Sequence, residues 1–393
     1  MFFIVFPAGI SQGFATIVLP YLLVHNGFSV AMTGGIVAIG VSANLWRFLG
    51  GPIVDITLSL KKWYWISVLL CTTALLALCT IPYKQEAILL ITSLAFVSQV
   101  AATFLILPIT GFMAKCIPHH QKGAASGWYQ GGMLAATGLG GGVGLWLSVH
   151  YNMLTTGIVL TILSFAFALV ISLIKDVHHD KQGTIARELG TMGKDILSLI
   201  KVPLALFTII LVCMPIGSGA ASNLWSAIAT EWHADADTVA LTTGVVSGLV
   251  STVGAVLGGY IVDRSGGWTG YMVSGIMCAV VALVMALMPF SPAVFIVGVL
   301  AYTFGIGMIN AAFSAVILFA VGKKHAATKY SLLASFGNLP VVYMTAFDGW
   351  AHDRYNSKTM LAAEAVLGLF CVLVFSLAIR QMRARKLLVH SAE

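Results

Sequence analysis

The sequence predicts an all-α membrane protein of twelve transmembrane helices in two six-helix bundles, and three observations carry that prediction. The first is composition: 59% of the 393 residues are hydrophobic, 9% are charged and the mean hydropathy is +0.96. A soluble core of this size needs far more charge on its surface. The second is run length. Apolar runs of roughly 20 residues or more recur, long enough to cross about 30 Å of hydrocarbon as helices, and the short alternating segments of an outer-membrane barrel are missing. The third is an internal repeat. Gly51-Pro-Ile-Val-Asp55 returns as Gly259-Tyr-Ile-Val-Asp263, an offset of 208, and Trp146, Tyr151 and Asn152 return as Trp350, Tyr355 and Asn356, an offset of 204. A parallel repeat of this kind implies two bundles of one orientation, related by an axis along the membrane normal.

Taken in order, the expected spans are 2–24, 29–54, 64–82, 87–114, 123–149, 153–174, 203–229, 238–262, 270–289, 292–320, 327–349 and 358–379. The first lacks the basic n-region and cleavage site of a signal peptide and is read as span 1. Short joints of Pro, Gly, Asn or charge separate the spans. The one long joint divides the chain into a bundle at 1–175, a linker at 176–201 and a bundle with a basic tail at 202–393. Within it Ile185, Leu189, Met192, Ile196 and Ile200 recur at helical spacing, as expected of an amphipathic helix on the membrane surface.

Lysine and arginine set the orientation. With both termini in the cytoplasm, the inner loops hold Lys61, Lys62, Lys115, Lys122, Arg264, Lys323 and Lys324 together with the basic linker and tail. The outer loops hold only Lys84, Arg354 and Lys358. The positive-inside rule selects that arrangement, and it accounts for the net charge of +7 without nucleic acid.

Ionisable residues within spans are costly and mark function. Arg47 in span 2 is placed to snorkel inward, to pair with an acid of a neighbouring helix, or to contact an anionic substrate. Asp348 in span 11 and Glu364 in span 12 are read as proton-coupling residues, with Asp348 alternatively facing water at the outer interface. Gln12, Gln99, Tyr129, Gln130, Asn223, Trp225, Asn310 and Asn338 are candidates for gripping a substrate; the competing role of each amide is a bond to a neighbouring helix.

Glycines crowd span 5 (Gly138, Gly140, Gly141, Gly142, Gly144) and recur on span 8 (Gly244, Gly248, Gly254, Gly258). These faces are expected to pack closely, with spans 5 and 8 meeting across the two bundles. No Gly-Lys-Ser/Thr follows them, so a phosphate-binding loop is excluded. The pairs His119-His120 and His178-His179 lack metal-ligand spacing, and the six cysteines, free of any CxxC, read as buried thiols. No metal or cofactor is expected.

Two Gly-x-x-x-Asp boxes ending equivalent spans resemble the loop signature of the major facilitator superfamily. Gly51, Asp55, Gly259, Asp263 and Arg264 then form the inner gate, and spans 1, 4, 7 and 10 line a central cavity. Within the superfamily, Asn44-Leu-Trp-Arg-Phe-Leu-Gly-Gly-Pro-Ile-Val-Asp55 and Ala327-Thr-Lys-Tyr-Ser-Leu-Leu-Ala-Ser-Phe-Gly-Asn-Leu-Pro340 resemble muropeptide permeases of the AmpG type, a group that extends to siderophore permeases of the RhtX/FptX type. The box sequences depart from the usual pattern in having Ile56–Leu60 and Gly266-Gly267 where basic residues are common. The resemblance implies a monomeric bacterial inner-membrane transporter importing a bulky organic solute by proton symport. Its rivals are an efflux transporter of small organic compounds, a solute sensor that moves nothing, and a membrane enzyme, for which no acid–histidine cluster at headgroup depth is found.

Overall fold

A computed structural model of the chain describes residues 2–116, 122–174, 176, 190, 203–321 and 332–384, and every regular element among them is helical. The amphipathic helix expected in the linker, both histidine pairs and the basic residues Lys323, Lys324 and Lys329 lie outside the described residues.

Ten of the described helices are long and apolar enough to cross a membrane, and they fall on ten of the twelve expected spans. Span 11 is described from Leu332, with its helix at Leu339–Arg354. Span 7 corrects the expectation of one helix over 203–229. It is helical at Pro203–Val212, loses its helix around Pro215, and resumes in short turns at Ala220–Asn223, Trp225–Ile228 and Ala229–Trp232. Pro215 removes a backbone donor and biases Met214 away from helical torsions. Gly217 and Gly219 then take φ of 56° and 74°, the left-handed region that glycine enters without steric cost.

The repeated Trp-Tyr-Asn residues have a clear structural meaning. Asn152 and Asn356 each accept the backbone N–H three residues on, Thr155 and Thr359, both at 2.8 Å, and so cap spans 6 and 12. Trp146 meets Tyr151 edge to face, and Trp350 meets Tyr355 likewise. Spans 1·5, 2·4, 3·4 and 3·6 pack together in the first half, and 7·11, 8·10, 9·10 and 9·12 repeat those pairings in the second. The result is two six-helix bundles.

The bundles touch along spans 1·7, 2·11 and 5·8, near the loops expected to face outward. Backbones meet directly there. A Cβ added to Gly244 would come within 2.5 Å of Gly142 Cα, and one added to Gly34 within 2.8 Å of the Thr345 carbonyl. Spans 5 and 8 therefore form the expected small-residue contact, and spans 2 and 11 form its symmetry partner.

Polar side chains close the same end. Asp353 accepts from the Ser29 hydroxyl and the Ala31 N–H at the start of span 2. His352 bridges Asp353 and Glu231, and Glu231 also accepts from the Ser357 hydroxyl at 2.7 Å. Burial works against the charge on both His352 and Glu231. Their mutual hydrogen bond and opposite charge outweigh it, holding His352 above its ordinary pKa and Glu231 below. The share from His352 is thus full below about pH 6.5 and is lost as pH rises through the folded-state value; the share from Glu231 is lost only on acidification below about pH 4.3.

Two outcomes are expected. Raising pH from about 6 to about 8.5 should lower the melting temperature of the native chain more than that of His352→Gln, which has no imidazolium to lose. Gly244→Val should prise spans 5 and 8 apart, read as faster reaction of an Ala240→Cys thiol with a membrane-impermeant reagent than in the same chain with Gly244 intact.

Candidate functional site

The break in span 7 exposes backbone groups that hydrocarbon cannot satisfy, and neighbouring spans supply their partners. The Tyr343 hydroxyl of span 11 donates to the Cys213 carbonyl at 2.9 Å. The Ala220 N–H donates to Ser218 Oγ at 3.2 Å. The Ala221 N–H is taken by the carboxylate of Glu364, which reaches across from span 12.

Glu364 is the hub of the site. Its Oε1 also accepts from the Tyr302 hydroxyl of span 10 at 2.7 Å and from the Ser218 hydroxyl at 3.2 Å. Trp225, on the resumed part of span 7, packs edge to face on Tyr302 with ring centroids 5.5 Å apart. Two residues earlier, Asn223 donates to Thr345 of span 11 at 2.9 Å. A cavity of about 10 Å³, room for about one water molecule, lies beside Glu364 between Pro215, Gly217, Cys278 and Tyr302.

The second acid is Asp348, fully buried, in the electrostatic field of Glu364. The alternative of Asp348 facing water at the outer interface is thereby corrected: packing of span 11 against spans 2 and 7 shuts it in. Glu364 Oε2 and both Asp348 carboxylate oxygens have no hydrogen-bond partner among the described residues, and no cation pairs with them there. Burying two carboxyls in one bundle without a cation beside them is costly, which marks the pair as a candidate functional feature.

The other expected residues are spread along the spans. Gln99 donates to the Ser11 carbonyl and hydroxyl, tying span 4 to span 1. Asn338, at the turn before the Leu339–Arg354 helix, donates to the Ala334 carbonyl of the same span. Gln12, Arg47 and Tyr129 are half-buried, while Gln130 and Asn310 are exposed. Gly51 and Asp55 lie on Arg47–Ile56, and Gly259, Asp263 and Arg264 lie on Ser247–Ser265, so the boxes end equivalent spans. Arg264 sits over the Tyr260 ring at 4.2 Å.

Sequence reading passed over Ser218 and Tyr302 as partners of Glu364. A usable signal existed: Pro7 and Gly9 of span 1 return as Pro215 and Gly217, again at an offset of 208. A hydrophobic segment interrupted by proline and glycine is itself a pointer to a transporter's centre.

The sequence profile of the Major Facilitator Superfamily matches residues 1–345. No curated protein matches the sequence. Among solved structures, the nucleoside transporter NupG aligns with a TM-score of 0.74 at 16% identity, over 95% of this chain and 97% of that one. The xylose transporter XylE from E. coli aligns with a TM-score of 0.70 at 14% identity, over 94% and 95%. A POT family transporter in complex with 5-aminolevulinic acid aligns with a TM-score of 0.72 at 9% identity, over 95% of each chain. At these identities the likeness establishes the shared fold.

Proposed function

The chain belongs to the major facilitator superfamily, and from that premise we propose that it is a proton-coupled secondary transporter working by alternating access. The observation that carries the coupling is the Asp348–Glu364 pair, two acids enclosed in the second bundle with no cation beside them among the described residues. A buried carboxyl pair with an odd proton is a carrier that can be loaded from one side and emptied to the other. The two bundles rock about a midplane cavity, and the Asp55 and Asp263 boxes latch the cytoplasmic side. The chain sits in the bacterial inner membrane as a monomer with both termini inside, its bundles joined through the 176–201 linker.

The solute is a bulky organic molecule of muropeptide or siderophore type, taken inward with the proton. That choice of cargo is supported by the resemblance of Asn44–Asp55 and Ala327–Pro340 to permeases of those classes. Gln12, Arg47, Gln130 and Asn310 make no side-chain hydrogen bond or ion pair among the described residues, which suits them to meet the solute. Arg47 would take an anionic group. Tyr129 shares their assignment, whereas Gln99, Asn223, Trp225 and Asn338 contribute by shaping the walls around them.

Proteoliposomes given an acid exterior should accumulate labelled muropeptide or siderophore, with peptides, nucleosides and sugars run alongside. Asp348→Asn and Glu364→Gln should each lose gradient-driven accumulation while retaining counterflow. Accumulation that ignores the pH gradient would remove proton coupling, and full accumulation by both variants would remove the pair as its site. Asp55→Asn and Asp263→Asn should slow transport several-fold with little loss of folded protein; native rates in both would defeat the latch.

A further inference from the structure

We propose that the break in span 7 reads the charge on Glu364, with Ser218 and Tyr302 as the positioning residues that connect the two. The inference rests on the reading of Asp348 and Glu364 as the proton-coupling pair and goes beyond it by naming the moving element.

Three donors converge on one carboxylate: the Ser218 hydroxyl, the Tyr302 hydroxyl and the Ala221 N–H. Two of the three belong to the break itself. Ser218 is fixed in its role, because its oxygen already accepts the Ala220 N–H, which leaves its own proton to point at Glu364. Tyr302 is fixed by Trp225, whose ring abuts it from beyond the break. An ionised Glu364 therefore clamps the two sides of the break to spans 10 and 12. Hydrogen bonds to a carboxylate are about twice as strong as those to a neutral acceptor, so protonation loosens all three contacts together.

The backbone at the break can use that loosening. Gly217 and Gly219 both hold left-handed torsions, and the small cavity beside Gly217 leaves room on the side of Glu364. The proton enters on the carboxylate oxygen that has no partner, Glu364 Oε2, or resides on Asp348 and leaves Glu364 charged. The titratable groups facing Glu364 are Asp348 on span 11, Tyr302 on span 10 and Cys278 on span 9; a phenol and a thiol are intrinsically far weaker acids than a carboxylic acid, so Asp348 is the exchange partner. Proton transfer between the acids thus switches the hold on span 7, which also carries Asn223 and Trp225.

Hydrogen exchange followed by peptide mass spectrometry tests this on the full chain in lipid nanodiscs, with no need for the solute. Exchange over residues 211–224, corrected for the intrinsic pH dependence of amides, should rise several-fold as pH is lowered through a single midpoint. Glu364→Gln should abolish that dependence. Ser218→Ala and Tyr302→Phe each remove a donor to the charged form, so the midpoint should rise by about one pH unit, a roughly tenfold change in proton affinity. A purely structural role would raise exchange equally at all pH values and leave the midpoint in place, and that result in both variants would overturn the proposal. So would a pH dependence that survives in Glu364→Gln. Loss of accumulation in Glu364→Gln alongside either result would leave the coupling pair standing and sink only the hinge.

Discussion

Hydrocarbon offers no hydrogen bonds, and most of this structure follows from that. Each interruption of a helix must be met by side chains from elsewhere. The chain breaks span 7 once and answers with Tyr343 on the Cys213 carbonyl, Ser218 on the Ala220 N–H and Glu364 on the Ala221 N–H. Those partners come from spans 11 and 12 and from the break itself. A carboxyl inside a span is costly and the converging donors offset that cost, while the break in turn gains an acceptor for its freed N–H groups.

The same constraint explains why the two halves, alike in outline, differ at their centres. Span 1 keeps its helical path through Pro7 and Gly9, while span 7 unwinds at Pro215 and Gly217. At the offset of 204 that relates the later spans, Gly144 stands where the second half has Asp348, and Leu160 where it has Glu364. An unwound span 1 would have no acid to bind its freed N–H groups. The first half instead spends its polar side chains on itself, with Ser11, Ser98 and Gln99 joined between spans 1 and 4.

Much of this is legible in the sequence. Run length located the spans, and the two offsets exposed the repeat. The glycine faces named spans 5 and 8 as neighbours, because close backbone approach needs small residues wherever it occurs. Asp348 and Glu364 stood out because carboxyls in apolar runs are expensive. What escaped was tertiary. Averaged hydropathy, dominated by Met214, Ile216 and their apolar neighbours, glides over the break at Pro215 that torsions make plain. Gln99 looks the same on paper whether it meets a solute or Ser11. Tyr302 and Ser218 acquire meaning only through a partner 62 or 146 residues away.

The contact between the bundles along Gly142–Gly244 and Gly34–Gly349 is made by main chain against main chain. Such a joint has no rotamers to find and no knobs to seat. In the rocking motion proposed above it would part and close as two smooth rails, with no side chain at the joint to reseat. A single methyl on either rail becomes a wedge between the two halves.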